Sequence, residues 1–185
     1  MGFAATGGPP SRPSIAVPRR TRALAALIDL ATLALLCFLA SAAAIAWLLL
    51  RTSGGAVDAS DEDTAIAFAL AGAVPPVWLA GLARGLLRHR ATPGERALGL
   101  RVEGARREGR RALVLRLLVH PWGAIGWLWL AGVAWLAGIG WIAWPLTMLA
   151  LVIMVVGLVS AALWLVRPDA TPMHDRLAGT RLVRA

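Results

Sequence analysis

Long apolar stretches, separated by short charged ones, set the organisation of this chain. The stretch 23–50 is interrupted by one acid, Asp29, and the stretch 65–83 carries no charge. A helix needs about 20 residues to cross a hydrocarbon core of ~30 Å, so each stretch is long enough to span a membrane. The pattern predicts span 1 over residues 21–50 and span 2 over residues 64–87.

The last apolar stretch is long enough to cross twice. Residues 122–166 carry no formal charge, and as a helix they would measure about 68 Å, twice the thickness of the core. Basic segments flank this stretch on both sides, which requires an even number of crossings. We expect span 3 over residues 122–139 and span 4 over residues 144–166, with a tight turn around Gly140 and Pro145.

The charges predict the orientation of these spans. Residues 1–22 hold four Arg and no acid, and residues 84–116 hold ten Arg and three Glu. Residues 51–63 hold one Arg and four acids, whereas residues 167–185 hold four Arg and two Asp. Because Arg is retained on the cytoplasmic side, both termini and the segments 88–121 and 167–185 are expected in the cytoplasm. No nucleic-acid partner is expected, since stacking aromatics are missing from the Arg-rich segment.

Composition excludes several kinds of site. Every basic residue other than His is Arg, and the chain has no Lys, Tyr, Asn or Gln. Phosphate-binding loops of the GxxxxGK type and Schiff-base chemistry are therefore excluded, and the lone Cys37 inside span 1 excludes disulfides. No enzyme motif, cofactor or metal site is expected. The Arg, Ala and Gly bias is typical of a GC-rich bacterial genome, so we expect a protein of the bacterial cytoplasmic (inner) membrane.

Prolines mark two further features. Residues 1–20 contain four prolines and are expected to form a disordered cytoplasmic leader, followed by a membrane domain over residues 21–185. Pro75 and Pro76 lie past the middle of span 2, where two missing amide donors must kink or break the helix. The kink is interpreted as an ordinary one; the alternative is a broken helix at a transport site.

A short helix and a short strand are predicted after span 2. Thr92 is a capping residue, Pro93 suits the first helical position and Glu95 the third, which is the pattern of a helix start. Gly99 is expected to end this helix after two turns. Residues 100–103 then alternate like a strand.

The same pattern returns after span 4. TPGERALGLRV at 92–102 and TPMHDRLAGTRL at 171–182 share Thr-Pro, an acid, an Arg, a Gly and an Arg-aliphatic pair in the same order. Two helical hairpins related by a twofold axis along the membrane normal would explain the repeat. The alternative is that the two segments are unrelated and are similar only because each contains residues that favour a capped helix start. Under either interpretation, residues 100–103 and 180–184 are expected to pair as a small cytoplasmic sheet.

Asp29 is the one formally charged residue expected inside a span. Arg22 precedes it by seven residues, which places it two helical turns away on the same face. An unpaired carboxylate in hydrocarbon costs up to a few kcal/mol, so Asp29 should face the bundle interior. Its expected partner is an arginine from another segment (Arg116, Arg84 or Arg88) or a water-filled pocket.

Three segments, in this order, resemble the RDD family of bacterial membrane proteins: RALAALID at 22–29, TPGERALGLRV at 92–102 and HDRLAGT at 174–180. The family is named for one arginine and two aspartates, which by position are Arg22, Asp29 and Asp175. Many members carry Lys after the motif's Gly, where this chain has an acid. Supporting positions here are Thr92, Pro93, Gly94, Arg96, Gly99, Arg116, Thr171, Pro172, His174, Arg176 and Gly179.

The resemblance implies an all-α transmembrane protein: a four-span bundle of two hairpins, each followed by a short cytoplasmic helix and strand. Arg22, Asp29 and Asp175 are expected to gather at its cytoplasmic end, with Arg22 in direct contact with Asp175. The expected function is a small transporter or channel-like protein in which Asp29, tuned by Arg22, handles a proton, a cation or a small solute. Its partners would be the lipid bilayer, the unidentified solute and, since four short spans make a thin wall, further copies of the chain. The alternative is a non-transporting scaffold or accessory protein whose Arg/Asp cluster is structural.

Overall fold

The computed structural model describes residues 17–53, 58–104, 109–166 and 172–184. These residues are mostly helical. Along the chain the elements are α1 (Arg19–Thr52), α2 (Asp61–Gly72), α3 (Val74–His89), α4 (Pro93–Ala97), β1 (Leu100–Gly104), α5 (Gly109–Val119), α6 (Pro121–Leu136), α7 (Gly140–Val166), α8 (Met173–Leu177) and β2 (Thr180–Arg184). Of the expected leader, residues 1–16 lie outside the described residues, and Arg19 and Arg20 already belong to α1.

Within the described ranges, three helical stretches are long and apolar enough to cross a membrane: α1, the α2–α3 stretch and residues 140–160 of α7. Helix α6 has 16 residues, about 24 Å, and would count as a fourth span only together with α5, from which it is bent by 69°. Large apolar side chains point outward along these helices, and Phe68 and Leu158 are 75% and 67% exposed. A mostly helical fold with three or four candidate membrane-spanning helices in the described residues is therefore confirmed, and the four-span bundle stays a prediction.

The break in the second stretch follows from its two prolines. Helix α2 ends at Gly72, and Pro75 and Pro76 are the second and third residues of α3. Pro76 has no N–H to donate to the carbonyl four residues earlier, which is that of Gly72. The indole Nε1 of Trp129 in α6 donates to this carbonyl oxygen over 2.7 Å. The predicted interruption of the helix at the two prolines is thus confirmed, and a neighbouring helix satisfies the backbone carbonyl that it frees.

The turn between α6 and α7 differs from the prediction. Gly138 has a φ of 72°, a left-handed conformation that glycine adopts at little cost, and α6 ends at Leu136 just before it. Gly140 begins α7, and Pro145 lies inside that helix. Placing the turn around Gly140 and Pro145 was therefore wrong, because the flexible glycine two residues earlier ends the helix first.

The predicted sheet is confirmed. Strands β1 and β2 pair antiparallel, with Leu100 opposite Arg184 and Gly104 opposite Thr180. The sheet covers the end of the bundle where α1 and α6 begin, and a core of buried apolar side chains joins it to the helices: Val17, Ala25, Leu86, Leu100, Val102, Leu113 and Leu182. Helices α4 and α8 have five residues each, fewer than the two turns expected for α4, and each precedes a glycine with positive φ, Gly99 or Gly179. The internal repeat itself stays a prediction.

The orientation can be tested by cysteine labelling in cells, using a variant that lacks Cys37. A cysteine at Trp141, exposed in the first turn of α7, should react with a membrane-impermeant maleimide added from outside. A cysteine at Arg176, exposed on α8, should be protected until the membrane is permeabilised, because the Arg-rich flanks are expected inside. Labelling of position 176 in intact cells would contradict this topology.

Candidate functional site

A cavity of about 280 Å³ lies at the sheet end of the bundle, and Arg22, Asp29 and Asp175 all line it. Arg22 and Asp29 reach it from α1, and Asp175 from α8. The helices contribute polar and charged side chains to its wall, and small or apolar residues complete it. The lining residues are Arg22, Ala23, Ala25, Ala26, Asp29, Thr92, Glu95, Arg116, His120, Pro121, Trp122, Gly157, Ser160, Pro172, His174, Asp175 and Leu182.

Asp29 binds the start of α4 and no arginine within ion-pair distance among the described residues. Its Oδ2 accepts a hydrogen bond from the Thr92 hydroxyl and its Oδ1 accepts one from the Gly94 N–H, each 2.7 Å long. The expectation of an Arg84, Arg88 or Arg116 partner was therefore wrong. Hydrogen-bond donors at a helix start satisfy a buried carboxylate without a formal counter-charge.

Gly94 permits this contact because it has no side chain. A Cβ at this position would lie 2.1 Å from the carbonyl oxygen of Ala25 and 3.1 Å from the Asp29 Cγ. The backbones of α1 and α4 therefore approach each other more closely than any other residue would allow. In the Thr-Pro-Gly motif, Thr92 thus caps α4, Pro93 begins it, and Gly94 allows it to lie close to the backbone of α1.

The predicted capping box is present, and it extends into the ion-pair network. Glu95 Oε2 accepts from the Thr92 N–H over 2.8 Å, while the Thr92 hydroxyl oxygen accepts from the Glu95 N–H over 3.2 Å. The other carboxylate oxygen of Glu95 accepts from Arg116 Nη2 over 2.9 Å. One acid therefore caps α4 and also binds α5.

Arg116 is the centre of this network. It is 3% exposed, and its Nε lies 3.0 Å from Asp175 Oδ1 while its Nη2 binds Glu95. The Arg116 side chain of α5 therefore points into the protein. Two buried carboxylates, one from α4 and one from α8, thus enclose a single guanidinium.

Asp175 is also held from its own side. The Thr180 hydroxyl donates to Asp175 Oδ1 over 3.0 Å, which ties α8 to β2. The N–H of Met173 at the start of α8 donates to Ser160 Oγ of α7 over 2.9 Å. Pro172 takes the capping position of α8 without a side-chain bond, and Thr171, the expected cap, lies outside the described residues.

Arg22 lines the cavity without the direct contact to Asp175 that was expected. Asp175 attracts the Arg22 guanidinium from a distance, but its close ion pair is with Arg116. The Nε of Arg22 is buried and has no hydrogen-bond partner in the described residues. The cluster therefore forms with a different arginine at its centre, because α5 brings Arg116 between the two carboxylates.

Two imidazoles border the same cavity. The rings of His120 and His174 meet edge to face, with centroids 4.5 Å apart, and His120 Nδ1 accepts from the Trp122 N–H. Burial lowers the pKa of His174 to about 4; the Asp175 carboxylate raises that pKa, and the guanidinium groups of Arg116 and Arg22 lower it. His174 is therefore neutral at pH 7.

Some supporting positions lie apart from the cavity. Arg96 and Arg176 are exposed, and neither lines it. Conversely, sequence reasoning assigned no site role to Glu95, His120, Ser160 or Thr180. Glu95 could have been found from the repeat, since it matches Asp175 in the second copy, but the sequence had no signal for the other three. Within the described ranges, no group of three or more His, Cys, Asp or Glu side chains could hold a metal ion.

Comparison with known proteins identifies one family. A sequence profile described as the RDD family matches residues 17–179, which include all three residues of the family name. No curated protein and no solved structure matches the chain significantly.

Replacing Asp29 with Asn should destabilise the folded protein by about 1–3 kcal/mol, because an amide cannot accept both of the hydrogen bonds from α4. The measurement is thermal unfolding of the purified protein in detergent. Asp58→Asn removes the same charge from an exposed position and should leave the Tm unchanged. Equal Tm values for both variants would show that the Asp29 contacts contribute little.

The Tm should fall as the pH is lowered from about 6.5 towards 5. The pKa of His174 is about 4 in the folded protein and 6.5 when unperturbed, so the unfolded chain binds more protons in this window and gains stability relative to the folded one. The full effect would be about 3 kcal/mol below pH 4. His174→Gln should reduce the slope between pH 6.5 and 5 without abolishing it, because burial also lowers the pKa of His120. The exposed His89→Gln should not reduce it; identical slopes for His174→Gln and the wild type would contradict the assignment.

Proposed function

The chain belongs to the RDD family, and from that premise we propose that it is a small transporter or channel-like protein whose cavity receives the transported species. The observation that supports this most is the convergence of Arg22, Asp29 and Asp175 on one cavity. Ionisable groups inside membrane proteins are costly and mark solute, ion or proton pathways more often than not.

The contacts of Asp29 change the role proposed for it. Both of its oxygens accept hydrogen bonds from fixed donors at the start of α4, which hold the side chain in place between the two helices. In our proposal Asp29 positions α4 against α1, and Arg22, whose Nε has no partner in the described residues, meets the solute. The pathway would thus depend on the arginine of the motif more directly than on its first aspartate.

The scaffold alternative is favoured by a separate observation. The bonds from Asp29 through Thr92, Glu95 and Arg116 to Asp175 tie together α1, α4, α5 and α8. A network of this kind would be needed in a protein that only holds its helix ends together for a partner. It does not account for the cavity or for the position of Arg22 in its wall.

The remaining parts of the proposal concern the setting. We place the protein in the bacterial cytoplasmic membrane with both termini and the sheet inside, on the basis of the Arg distribution. Assembly of several copies would thicken the wall around the cavity. The exposed apolar side chains along α1 and α7 provide the surface for lipid and for such contacts.

Flux measurements test the proposal. In proteoliposomes, we expect wild-type protein to carry a proton, cation or small solute faster than protein-free vesicles, with a pH-sensitive dye and radiolabelled solutes as readouts. Arg22→Gln should reduce that flux at least about tenfold, because it removes the charge from the cavity wall. It should do so with little change in Tm, since Arg22 takes part in no close ion pair of the described residues.

Arg96→Gln is the matched control, because it removes the same charge from an exposed position on α4. Its flux should equal that of the wild type. If wild-type vesicles transport nothing and Arg22→Gln instead lowers the Tm as strongly as Asp29→Asn, the scaffold function is favoured and transport is rejected.

A further inference from the structure

We propose that α5 lies along the membrane surface at the sheet end of the bundle and binds anionic phospholipids there. In this arrangement Val114, Leu115 and Leu118 contact the acyl chains, while Arg110 and Arg111 bind the phosphates of the headgroups. The inference goes beyond the proposed function and does not depend on transport. Three observations support it: the residues that α5 exposes, the angle at which the helix is held, and the charge beside its apolar residues.

Helix α5 directs its central arginine inward and its large apolar residues outward. Arg116 is 3% exposed, whereas Val114, Leu115 and Leu118 are 45%, 43% and 41% exposed. Leu118 lies one turn beyond the other two, so the three side chains form one continuous patch. Water around a helix favours the opposite arrangement, with the arginine exposed and the leucines buried. The outward face of α5 is therefore suited to hydrocarbon, and an exposed apolar patch marks a contact surface.

The junction between α5 and α6 fixes the direction of this face. The two helices are bent by 69° relative to each other. A Cβ at Gly123 would collide with the carbonyl oxygen of Leu117, so the glycine allows the first turn of α6 to approach the end of α5. The indole Nε1 of Trp127 donates to the carbonyl oxygen of Leu118 over 3.3 Å. The bend is therefore held by close backbone packing and by a hydrogen bond between the two helices.

This angle places α5 near the plane of the membrane. Helix α6 packs along α7, of which residues 140–160 are long and apolar enough to span. Spanning helices tilt by about 20° on average, so a helix bent by 69° from α6 lies about 50–90° from the membrane normal. Helix α5 has 11 residues, or about 16 Å, which is too short to cross the core by itself. Its length and direction therefore suit the membrane interface.

Two exposed arginines extend the apolar patch. Arg111 precedes Val114 and Leu115 by three and four residues and lies on the same face; Arg110 is its neighbour, and both are exposed. None of the ion pairs formed by the described residues includes either arginine. The stem of an arginine can contact acyl chains while its guanidinium reaches the headgroups. An apolar patch beside two uncompensated cations matches an anionic phospholipid better than a neutral one.

Spin labelling of the full-length protein, in vesicles of phosphatidylcholine and phosphatidylglycerol, tests the placement. Leu115→Cys and Leu118→Cys are labelled one at a time in a variant that lacks Cys37. Leu158→Cys, exposed on α7, is the membrane reference, and Arg176→Cys, exposed on α8, is the aqueous one. We expect nitroxides at 115 and 118 to collide with oxygen more often than with a water-soluble nickel chelate, at a depth between the two references.

Three results would overturn the placement. Accessibility to the nickel chelate equal to that at position 176 would show that this face of α5 is in water. A depth equal to that at position 158 would show that α5 belongs to a broken span. Low accessibility to both reagents would show that protein, and not lipid, covers the face.

Lipid selectivity is measured with a bimane at Leu115→Cys, quenched by brominated phosphatidylglycerol or by brominated phosphatidylcholine. We expect phosphatidylglycerol to be preferred at least about fivefold, the contribution of one arginine near a charged membrane surface. Replacing both Arg110 and Arg111 with Gln should bring the ratio close to one. The matched double variant, Arg96→Gln with Arg176→Gln, removes two exposed charges from the same end of the molecule and should leave the ratio unchanged.

The lipid specificity is overturned if the wild type shows no preference for phosphatidylglycerol, or if the two double variants give the same ratio. Neither measurement involves flux. A protein that transports nothing can therefore still bind anionic lipid through α5, and a transporter can fail this test, so the two proposals are tested separately.

Discussion

The buried guanidinium of Arg116 is the interaction on which the sheet end of the molecule depends. It is one side chain that contacts carboxylates from two segments distant along the chain, Glu95 in α4 and Asp175 in α8. Removing one partner of a buried ion pair typically costs about 3–5 kcal/mol, because the remaining charge is left uncompensated. The positions of α4, α5 and α8 are therefore coupled. The sheet is joined to this network through Thr180 of β2, whose hydroxyl donates to Asp175.

The local structure of this chain could be predicted from its sequence, and the long-range pairing could not. Hydropathy located the three longest apolar stretches. The capping residues Thr92 and Glu95 predicted the start of α4, and the alternation of residues 100–103 predicted the strand that follows. These signals lie within a few residues of each other. The choice of Arg116 as the partner of Asp175 depended on how α5 packs, and ten arginines in the same region were chemically equivalent candidates.

The same distinction applies to Asp29. Its burial followed from its place in an apolar helix, but its partners are a hydroxyl and a backbone amide, which sequence reasoning about counter-charges overlooks. The motif Thr-Pro-Gly was interpreted as a helix start, and it is one. The N–H groups at a helix start can also bind a buried carboxylate. This principle connects the first two family motifs, around Asp29 and around Thr92, from the sequence alone.

The connectivity of the Arg116 network has a consequence for how the protein is made. Chains are synthesised from the N-terminus at about 5–20 residues per second, so α1, α4 and α5 exist before α7 is complete and before α8 exists. During that interval Arg116 has Glu95 but not its second carboxylate. The sheet also lacks β2, and the Met173 N–H has yet to reach Ser160. The cavity is thus complete only after α8 and β2 have been synthesised, and the earlier helices form with the site still open.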